Sequence, residues 1–349
     1  MGSGGYKWTY RAPRWIPAFV AEHDLGPFPA MTERLREVVE QGGFGYHTTV
    51  DHMIEAFCAW SARRHAWEPD PDLVVANASV LQGVWSCVEA FTEPTGAVVL
   101  TPPIYFPFND IGPTTGRRTV DWPLVRNEDG WHYDLDHLAH LLADDPGIQL
   151  LVLCHPHNPT GQTLTVDQLA HIVDLATRYD VVIVSDEIHA DFTFPGSTHV
   201  PMATVPGAAN RTVTVTSGIK TFAIGGLRVS VTAFADESLF TRYRRIPEHL
   251  LGSPNRMGCE AATIGWELGD EWSTSSSPCS TAIATTLWSD WPRRPQKSVS
   301  IFLRRRSWRG WTSRLTVPAT ARAAGFGTRL AWTARMARCS ARAGKATPG

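Results

Sequence analysis

Short apolar segments alternate with a helical pattern along the middle of the chain, and this alternation constrains the fold more than any other feature. Five apolar runs bounded by turn residues predict buried strands at 73–76, 97–100, 148–153, 181–184 and 212–216. Between the third and fourth runs, residues 165–179 carry apolar side chains at helical spacing. Strands rich in Val, Ile and Leu that alternate with helices are typical of a mostly parallel α/β sheet.

Polar residues follow three of these predicted strands. Asn158 comes after the third strand and Asp186 after the fourth, while Ser217 and Lys220 come after the fifth. Ligand sites of parallel sheets lie beyond the carboxyl ends of the strands, so these residues are expected to meet at one edge. A lysine amine, a carboxylate and phosphate donors are the groups that a protein supplies to pyridoxal 5'-phosphate (PLP). The order of these residues therefore predicts a PLP site.

Length and composition favour a two-domain protein, or one large domain with a subdomain, in the cytoplasm. The chain has 349 residues, of which 43% are hydrophobic, so it can build a sizeable core. Apolar runs fall short of the roughly 18 residues that span a membrane, and residues 1–8 lack the apolar core of a signal peptide. Six scattered cysteines without a CxxC pair indicate reduced thiols rather than disulfides.

A pattern of apolar residues at roughly helical spacing also predicts helices within residues 30–66, interrupted by a glycine-rich loop at 42–46.

The sharpest change in composition comes after Trp272. Residues 273–349 hold 14 of the 32 basic residues and one of the 34 acidic residues, which gives this segment a net charge of +13 against −15 for residues 1–272. The sequence therefore predicts a boundary at 272.

Several motifs in residues 10–272 together carry a family resemblance. They are Phe44-Gly-Tyr46, Pro103-Ile-Tyr-Phe-Pro-Phe108, His155-Pro-His-Asn-Pro-Thr-Gly161, Ser185-Asp-Glu-Ile-His-Ala-Asp-Phe192, Lys220-Thr-Phe-Ala-Ile-Gly-Gly-Leu227 and Gly252-Ser-Pro-Asn255. Each motif is weak alone, but the ordered set resembles fold-type I PLP enzymes of the class I/II aminotransferase superfamily. It looks most like the MalY/PatB type of cystathionine β-lyases and cysteine-S-conjugate β-lyases.

The resemblance implies a PLP-dependent transferase fold of the aspartate aminotransferase type, with a mostly parallel sheet in its large domain. Lys220 would form the Schiff base with PLP and move the Cα proton, Asp186 would pair with the pyridine nitrogen, and Tyr105 would stack on the ring. The other implied contacts are Asn158 and His189 at the phenolic oxygen, Ser217, Arg228, Val80 and Leu81 at the phosphate, and Tyr46 reaching into the neighbouring subunit of a homodimer.

The same residues have structural interpretations, which the sequence leaves open. Lysines are usually solvated, an aspartate after a strand often caps a helix, and Asn-Pro-Thr-Gly favours a turn. His189 and Tyr105 are equally compatible with packing, and Glu187 is expected to be structural. His155 and His157 without further ligands predict no metal site.

Two residues depart from the family pattern beside the lysine. The family often has Ser before the lysine and Asn three residues after it, where this chain has Ile219 and Ala223. These changes are expected to weaken cofactor binding without removing the chemistry.

Residues 273–349 do not continue the resemblance. A basic disordered tail and nucleic-acid binding through Arg and Trp are two interpretations, but disordered segments are poor in aromatics and this one has five tryptophans. A shifted reading frame near Trp272 is the interpretation we favour, because one choice of codons from Arg335 onward gives a family-like sequence in another frame. The family's small domain, with its arginine for the substrate carboxylate, is then expected to be absent or disordered.

The resemblance predicts three segments: an N-terminal arm with a small-domain segment at 1–45, a PLP-binding large domain at 46–272 and a basic tail at 273–349. It implies a homodimeric PLP-dependent C–S β-lyase that acts on an amino-acid thioether such as cystathionine, without nucleic-acid or membrane partners. An aminotransferase is the runner-up, since it shares every step through the carbanion. An inactive remnant or regulatory protein that keeps a PLP site is the third possibility.

Overall fold

A seven-stranded sheet dominates the described part of the chain, which in this computed structural model comprises residues 21–22, 26–128, 130–193 and 196–274. The strand order is β1-β9-β8-β7-β6-β2-β3, with β9 antiparallel to both neighbours and the other pairs parallel. The strands of this sheet are β1 Val74–Asn77, β2 Ala97–Leu100, β3 Arg118–Asp121, β6 Ile148–Cys154, β7 Val182–Asp186, β8 Thr212–Thr216 and β9 Ser230–Phe234. A separate hairpin pairs β4 Val125–Asn127 with β5 Gly130–His132.

The helices alternate with the strands. Those in the described residues are α1 Pro29–Glu40, α2 Thr49–His65, α3 Val80–Phe91, α4 Ile111–Thr115, α5 Leu135–Asp144, α6 Val166–Arg178, α7 Glu237–Tyr243, α8 Glu248–Leu251 and α9 Arg256–Leu268. Local caps fix several of their starts. Thr165 and Gln168 form a reciprocal capping box at α6, and the Ser79 side chain accepts a hydrogen bond from the Gln82 amide at α3.

All five predicted strands are present within two residues of their expected bounds, and the helices predicted within 30–66 and at 165–179 are present too. The mostly parallel α/β sheet is therefore confirmed. The largest difference is at β7, which extends two residues further than predicted, so Asp186 is its last residue rather than part of the following loop.

Alternate side chains of the strands build two cores on opposite faces of the sheet. Leu151 and Leu153 of β6 pack with residues of α5 and α6, whereas Leu150 and Val152 pack with residues of α3. A third core, centred on Phe222, joins α1, α2 and α9 to β1 and β9. Helices on both faces bury the sheet and leave its edge at the strand ends for a site.

None of the helices in the described residues is long and apolar enough to cross a membrane. The described fold belongs to a compact unit that spans Met1–Ser273. The predicted tail at 273–349 lies outside the described residues except for 273 and 274, and the expected frame shift and loss of the small domain concern that segment. The three-segment division stays a prediction.

The backbone at Ala223 shows that one departure from the family pattern is conformationally unfavourable. Ala223 has φ +57°, in the left-handed region that Asn and Gly tolerate better than other residues. Asparagine at this position of the family therefore suits the backbone, while alanine strains it.

We expect Ala223→Gly to raise the free energy of unfolding by about 1 kcal/mol, because glycine adopts positive φ without a Cβ penalty. Urea unfolding of both proteins measures the difference. Ala59→Gly, at an exposed position inside α2, should lower stability by about 1 kcal/mol. A loss of stability on Ala223→Gly would contradict the strained backbone.

Candidate active site

The register of the sheet brings the predicted site residues to one edge. Cys154 and Asp186 are partners at the carboxyl ends of β6 and β7, and Asp186 is also the partner of Val215. Because β9 runs antiparallel to β8, the amino end of β9 lies at this same edge, where Thr216 pairs with Val231. The end of β1, which leads into α3, also lies there, since Asn77 pairs with Ser230. The predicted clustering at one sheet edge is thus explained by topology.

Lys220 occupies a turn after β8 and is half-buried. Its Nζ donates a hydrogen bond to the Ala21 carbonyl oxygen at 2.8 Å. Burial lowers the pKa of Lys220, while the carboxylates of Glu22 and Asp186 oppose that change. A lysine with a lowered pKa is a better nucleophile at neutral pH, because a larger fraction of its amine is unprotonated.

Asp186 lies at the base of the site with its side chain buried. Its Oδ1 accepts a hydrogen bond from the Ile188 amide at 3.1 Å. Burial nevertheless raises its pKa to about 7, and the neighbouring Glu187 adds to this rise while Lys220 opposes it. The carboxylate is therefore short of positive partners, and a cationic group placed beside it would favour its ionised form.

Glu187, next in sequence, has a different environment. Its carboxylate accepts hydrogen bonds from the Ser185 hydroxyl at 2.8 Å and the Met202 amide at 3.0 Å, and lies 2.9 Å from Nε2 of His199. Burial would raise the pKa of Glu187, but His199 and these hydrogen bonds hold it below its usual value. Glu187 thus ties the loop after β7 to the segment around Met202, which agrees with the expected structural role.

Three more predicted site residues interact electrostatically with Lys220, with Asp186 or with one another. Burial and Asp186 raise the pKa of Tyr105, while Arg228 opposes the rise. Burial lowers the pKa of His189 to about 4, and the charge of Lys220 contributes to this change. His189 is therefore neutral at pH 7, and the structure brings Tyr105, His189 and Arg228 together with Asp186 and Lys220.

The predicted phosphate ligands differ in what they offer. Arg228 is exposed, and within the described residues no carboxylate forms an ion pair with its guanidinium. Val80 and Leu81 open α3, so their backbone amides belong to the first turn, where helices favour anions. The Ser217 hydroxyl donates to the Val229 carbonyl oxygen at 2.5 Å and accepts from the Ile219 amide at 3.2 Å. A direct phosphate contact would require Ser217 to turn away from Val229.

The remaining predicted residues have simpler surroundings. Asn158 is half-buried in the loop after β6, beside the edge that Asp186 marks. Tyr46 is fully exposed and Phe44 is exposed as well, so Tyr46 contributes no wall to the site of its own chain. His157, weighed above as a metal ligand, lies 2.8 Å from the Thr160 hydroxyl and 3.1 Å from the Thr101 carbonyl oxygen.

Sequence reasoning missed two groups near the lysine. Ala21 and Glu22 reach Lys220 from far away in sequence, and no local pattern marks them. Asp191 accepts a hydrogen bond from the Thr221 hydroxyl at 2.6 Å and lies 3.0 Å from Nε2 of His65. Asp191 belongs to the motif Ser185–Phe192, but the sequence gives no sign of its hydrogen-bond partners.

Comparison with known proteins fixes the family. The family model "Aminotransferase class I and II" matches residues 20–263, which is more than half of the chain. The chain belongs to the class I and II aminotransferase family. Its mostly parallel sheet and the matching solved structures confirm the aspartate aminotransferase-like fold.

Among curated proteins, the chain is 32% identical to cystathionine beta-lyase PatB of Bacillus subtilis over 78% of this chain and 72% of that protein. It is 31% identical to cystathionine beta-lyase of Corynebacterium glutamicum over 76% of this chain and 70% of that protein. Among solved structures, OvoB gives a TM-score of 0.77 at 30% identity, covering 82% of this chain and 76% of that one. Cystalysin from Treponema denticola, which contains pyridoxal 5'-phosphate, gives 0.76 at 24% identity, over 82% and 76%.

The residues present fit the cofactor of this family. Asp186 is a buried carboxylate with a raised pKa, which a protonated pyridine nitrogen would stabilise in the ionised form. Lys220 supplies an amine with a lowered pKa, and the Arg228 guanidinium lacks an ion-pair partner among the described residues. A carboxylate, an amine and a guanidinium therefore lie at one sheet edge, and these are groups that PLP enzymes use.

The raised pKa of Asp186 predicts how stability depends on pH in the cofactor-free protein. A carboxyl whose pKa rises from 3.8 unfolded to about 7 folded binds its proton more tightly when folded. Its contribution to stability is complete below pH 3.8 and is lost as pH rises to 7, by up to about 1.4 kcal/mol per pH unit.

Urea unfolding at pH 5 and pH 7 checks this contribution. Asp186→Asn, which cannot ionise, should lose less stability between the two pH values than the wild-type protein. An equal or larger loss in the variant would show that Asp186 does not have a raised pKa.

Proposed function

We propose that this chain is a PLP-dependent C–S β-lyase that acts on cysteine thioethers such as cystathionine. The observation that carries the proposal is the presence of a Lys220 amine of lowered pKa and a buried Asp186 carboxylate at the same edge of the sheet. The similarity to cystathionine beta-lyases of two bacteria supports this choice of substrate class.

Within this proposal each residue has a defined task. When bound, PLP supplies an electron sink that stabilises negative charge at the substrate Cα. Lys220 removes the Cα proton, for which its amine must be unprotonated, as its lowered pKa favours. Asp186, in its ionised form, would favour a protonated pyridine nitrogen, and Tyr105 and Asn158 would hold the cofactor ring in place. His189 offers the phenolic oxygen a neutral imidazole, since its pKa lies near 4.

The proposed reaction breaks the bond between Cβ and sulfur, and the electron pair of that bond leaves with the sulfur, which becomes a thiol on taking up a proton. The three-carbon fragment that remains takes up water and yields pyruvate and ammonia. Atoms balance with water as the only co-reactant, and no oxidant or keto acid is consumed.

An aminotransferase is the alternative that the family itself suggests, because its model covers residues 20–263. Both reactions begin with removal of the Cα proton by Lys220. They differ in what they consume, since an aminotransferase needs a keto acid to regenerate the cofactor.

Incubation of the PLP-loaded full chain with cystathionine decides between them. Pyruvate, ammonia and thiol in equal amounts, formed without added keto acid, are the expected result. Products that appear only with a keto acid would establish an aminotransferase. Bound PLP with no turnover of either kind would indicate a remnant or regulatory protein.

We also propose a homodimer in which Tyr46 completes the partner's site. Full exposure of this tyrosine, beside the exposed Phe44, supports the idea. If the proposal holds, mixing Lys220→Ala chains with Tyr46→Ala chains restores activity, since some mixed sites contain both wild-type residues. Failure of mixed chains to exceed either parent, under conditions that exchange subunits, would contradict it. The cytoplasmic location stays a prediction.

A further inference from the structure

The turn that carries Arg228 is held from two sides. Asn255 Nδ2 donates to the Leu227 carbonyl oxygen at 2.5 Å and lies 3.5 Å from the Arg228 carbonyl oxygen. On the other side, the Ser217 hydroxyl donates to the Val229 carbonyl oxygen at 2.5 Å. Three consecutive carbonyl groups are thus fixed by two side chains from separate elements.

The same asparagine also begins α9. Its Oδ1 accepts a hydrogen bond from the Gly258 amide at 2.8 Å, which makes it the N-cap of that helix. One side chain therefore uses its acceptor for the helix and its donor for the Arg228 turn. A side-chain amide carries these two groups on separate atoms, whereas an ionised Asp has no donor and Ser has one oxygen for both tasks.

The turn also needs the close approach of α9. A Cβ built at Gly258 would lie 2.5 Å from the Leu227 carbonyl oxygen and 3.2 Å from the Val229 Cβ. Arg228 itself has φ +53°, a left-handed conformation that costs a residue with a Cβ about 1 kcal/mol or more. A strained backbone of this kind persists where its surroundings hold it.

We propose that Asn255 is a positioning residue for the anion site: its amide holds the Leu227–Arg228 turn in the left-handed conformation that aims the Arg228 guanidinium at the cofactor phosphate. The proposal rests on the proposed function as a PLP enzyme and takes Arg228 as the phosphate ligand that the family resemblance implies. Ser217 then contributes by fixing the Val229 carbonyl, and Gly258 by letting α9 approach the turn.

The substitution that isolates this role is Asn255→Asp. Aspartate keeps the acceptor that caps α9 but has no N–H for the carbonyl groups of the turn, and its charge repels them. Asp236→Asn is the control, because it makes the reverse substitution at another helix N-cap. Asp236 caps α7 through the Ser238 amide at 2.8 Å, at the opposite edge of the sheet, because β9 ends at Phe234, the partner of Val213.

Titration of the cofactor-free full chain with PLP and with pyridoxal, which lacks the phosphate, gives the decisive readout. Asn255→Asp should weaken PLP binding about tenfold, the equivalent of one net hydrogen bond, and pyridoxal binding less than about twofold. Gly258→Ala should show the same selective loss, and Asp236→Asn should change neither ligand.

Arg228→Ala distinguishes the phosphate role of Arg228 from the positioning role of Asn255. It should also weaken PLP selectively, which supports the phosphate role itself. If Arg228→Ala weakens PLP binding more than pyridoxal binding and Asn255→Asp does not, the positioning role alone is overturned. Equal weakening of PLP and pyridoxal by Asn255→Asp would overturn it as well, since it would indicate general damage. If Arg228→Ala weakened neither ligand, the phosphate role would fail and the inference with it.

Discussion

Replacing Lys220 with alanine should lower the rate of cysteine-thioether cleavage by at least about a thousandfold, because the variant loses both its nucleophilic amine and its general base. No other lysine is present in residues 26–274. Steady-state release of pyruvate from cystathionine measures the effect. The absorbance of the lysine-bound cofactor should disappear in the same variant.

Lys220→Arg is the matched control for the charge. Arginine keeps a cation beside Asp186 and Glu22, but it stays protonated at neutral pH and cannot take the Cα proton. The arginine variant should therefore be as inactive as the alanine variant while folding at least as well. Activity within tenfold of the wild type in either variant would remove Lys220 from the chemistry.

The second large effect is expected for Asp186→Ala, which should lower turnover by about a hundredfold or more. The physical reason is electrostatic: without an anion beside it, the pyridine nitrogen loses its proton and becomes a poorer acceptor of electrons. PLP binding should weaken at the same time. Turnover and PLP titration, measured on the same preparation, check both effects.

Glu187→Gln controls for damage to the loop after β7. Glu187 holds Ser185, His199 and Met202, so its loss should reduce the free energy of unfolding by about 1–3 kcal/mol. It does not face the cofactor in the proposed site, so turnover of the folded protein should change far less than in Asp186→Ala. Equal losses of turnover in both variants would mean that Asp186 acts only through the fold.

Much of the sheet was predictable because its strands are short apolar runs with turn residues on both sides. Two strands of this sheet were not predicted, β3, Arg118–Asp121, and β9, Ser230–Phe234. Three of the five residues of β9 are Ser, Thr and Ala, and strand direction is set by connections and packing rather than by local pattern. Strand β9 matters for the site, because its antiparallel course begins at the edge where Asp186 ends β7 and so keeps Arg228, which precedes it, at that edge.

The meeting of Lys220 and Asp186 at one sheet edge was predictable, but their contacts were not. The motifs placed Lys220 and Asp186, since both follow recognisable strands. Ser217 shows the limit, because its hydroxyl hydrogen bonds to Val229 in the structure and no spacing rule reveals such a contact. Ala21 lies 199 positions before Lys220, yet its carbonyl oxygen accepts the lysine's hydrogen bond. Long-range contacts of this kind depend on the whole fold.

Asn255 has two roles that were not predicted from the sequence. One of them, the N-cap of α9, has a local signal, because an asparagine often precedes an apolar helical segment. The hydrogen bond from its amide to Leu227, 28 positions earlier, arises only because α9 packs against the turn after Lys220.

The most direct test of the central claim is to load the full chain with PLP, reduce it with sodium borohydride and map the modified peptide by mass spectrometry. The account predicts a pyridoxyl phosphate adduct on the peptide that contains Lys220, and its loss in Lys220→Arg. An adduct confined to another lysine, or no adduct at saturating PLP, would contradict the assignment of Lys220 as the residue that holds the cofactor.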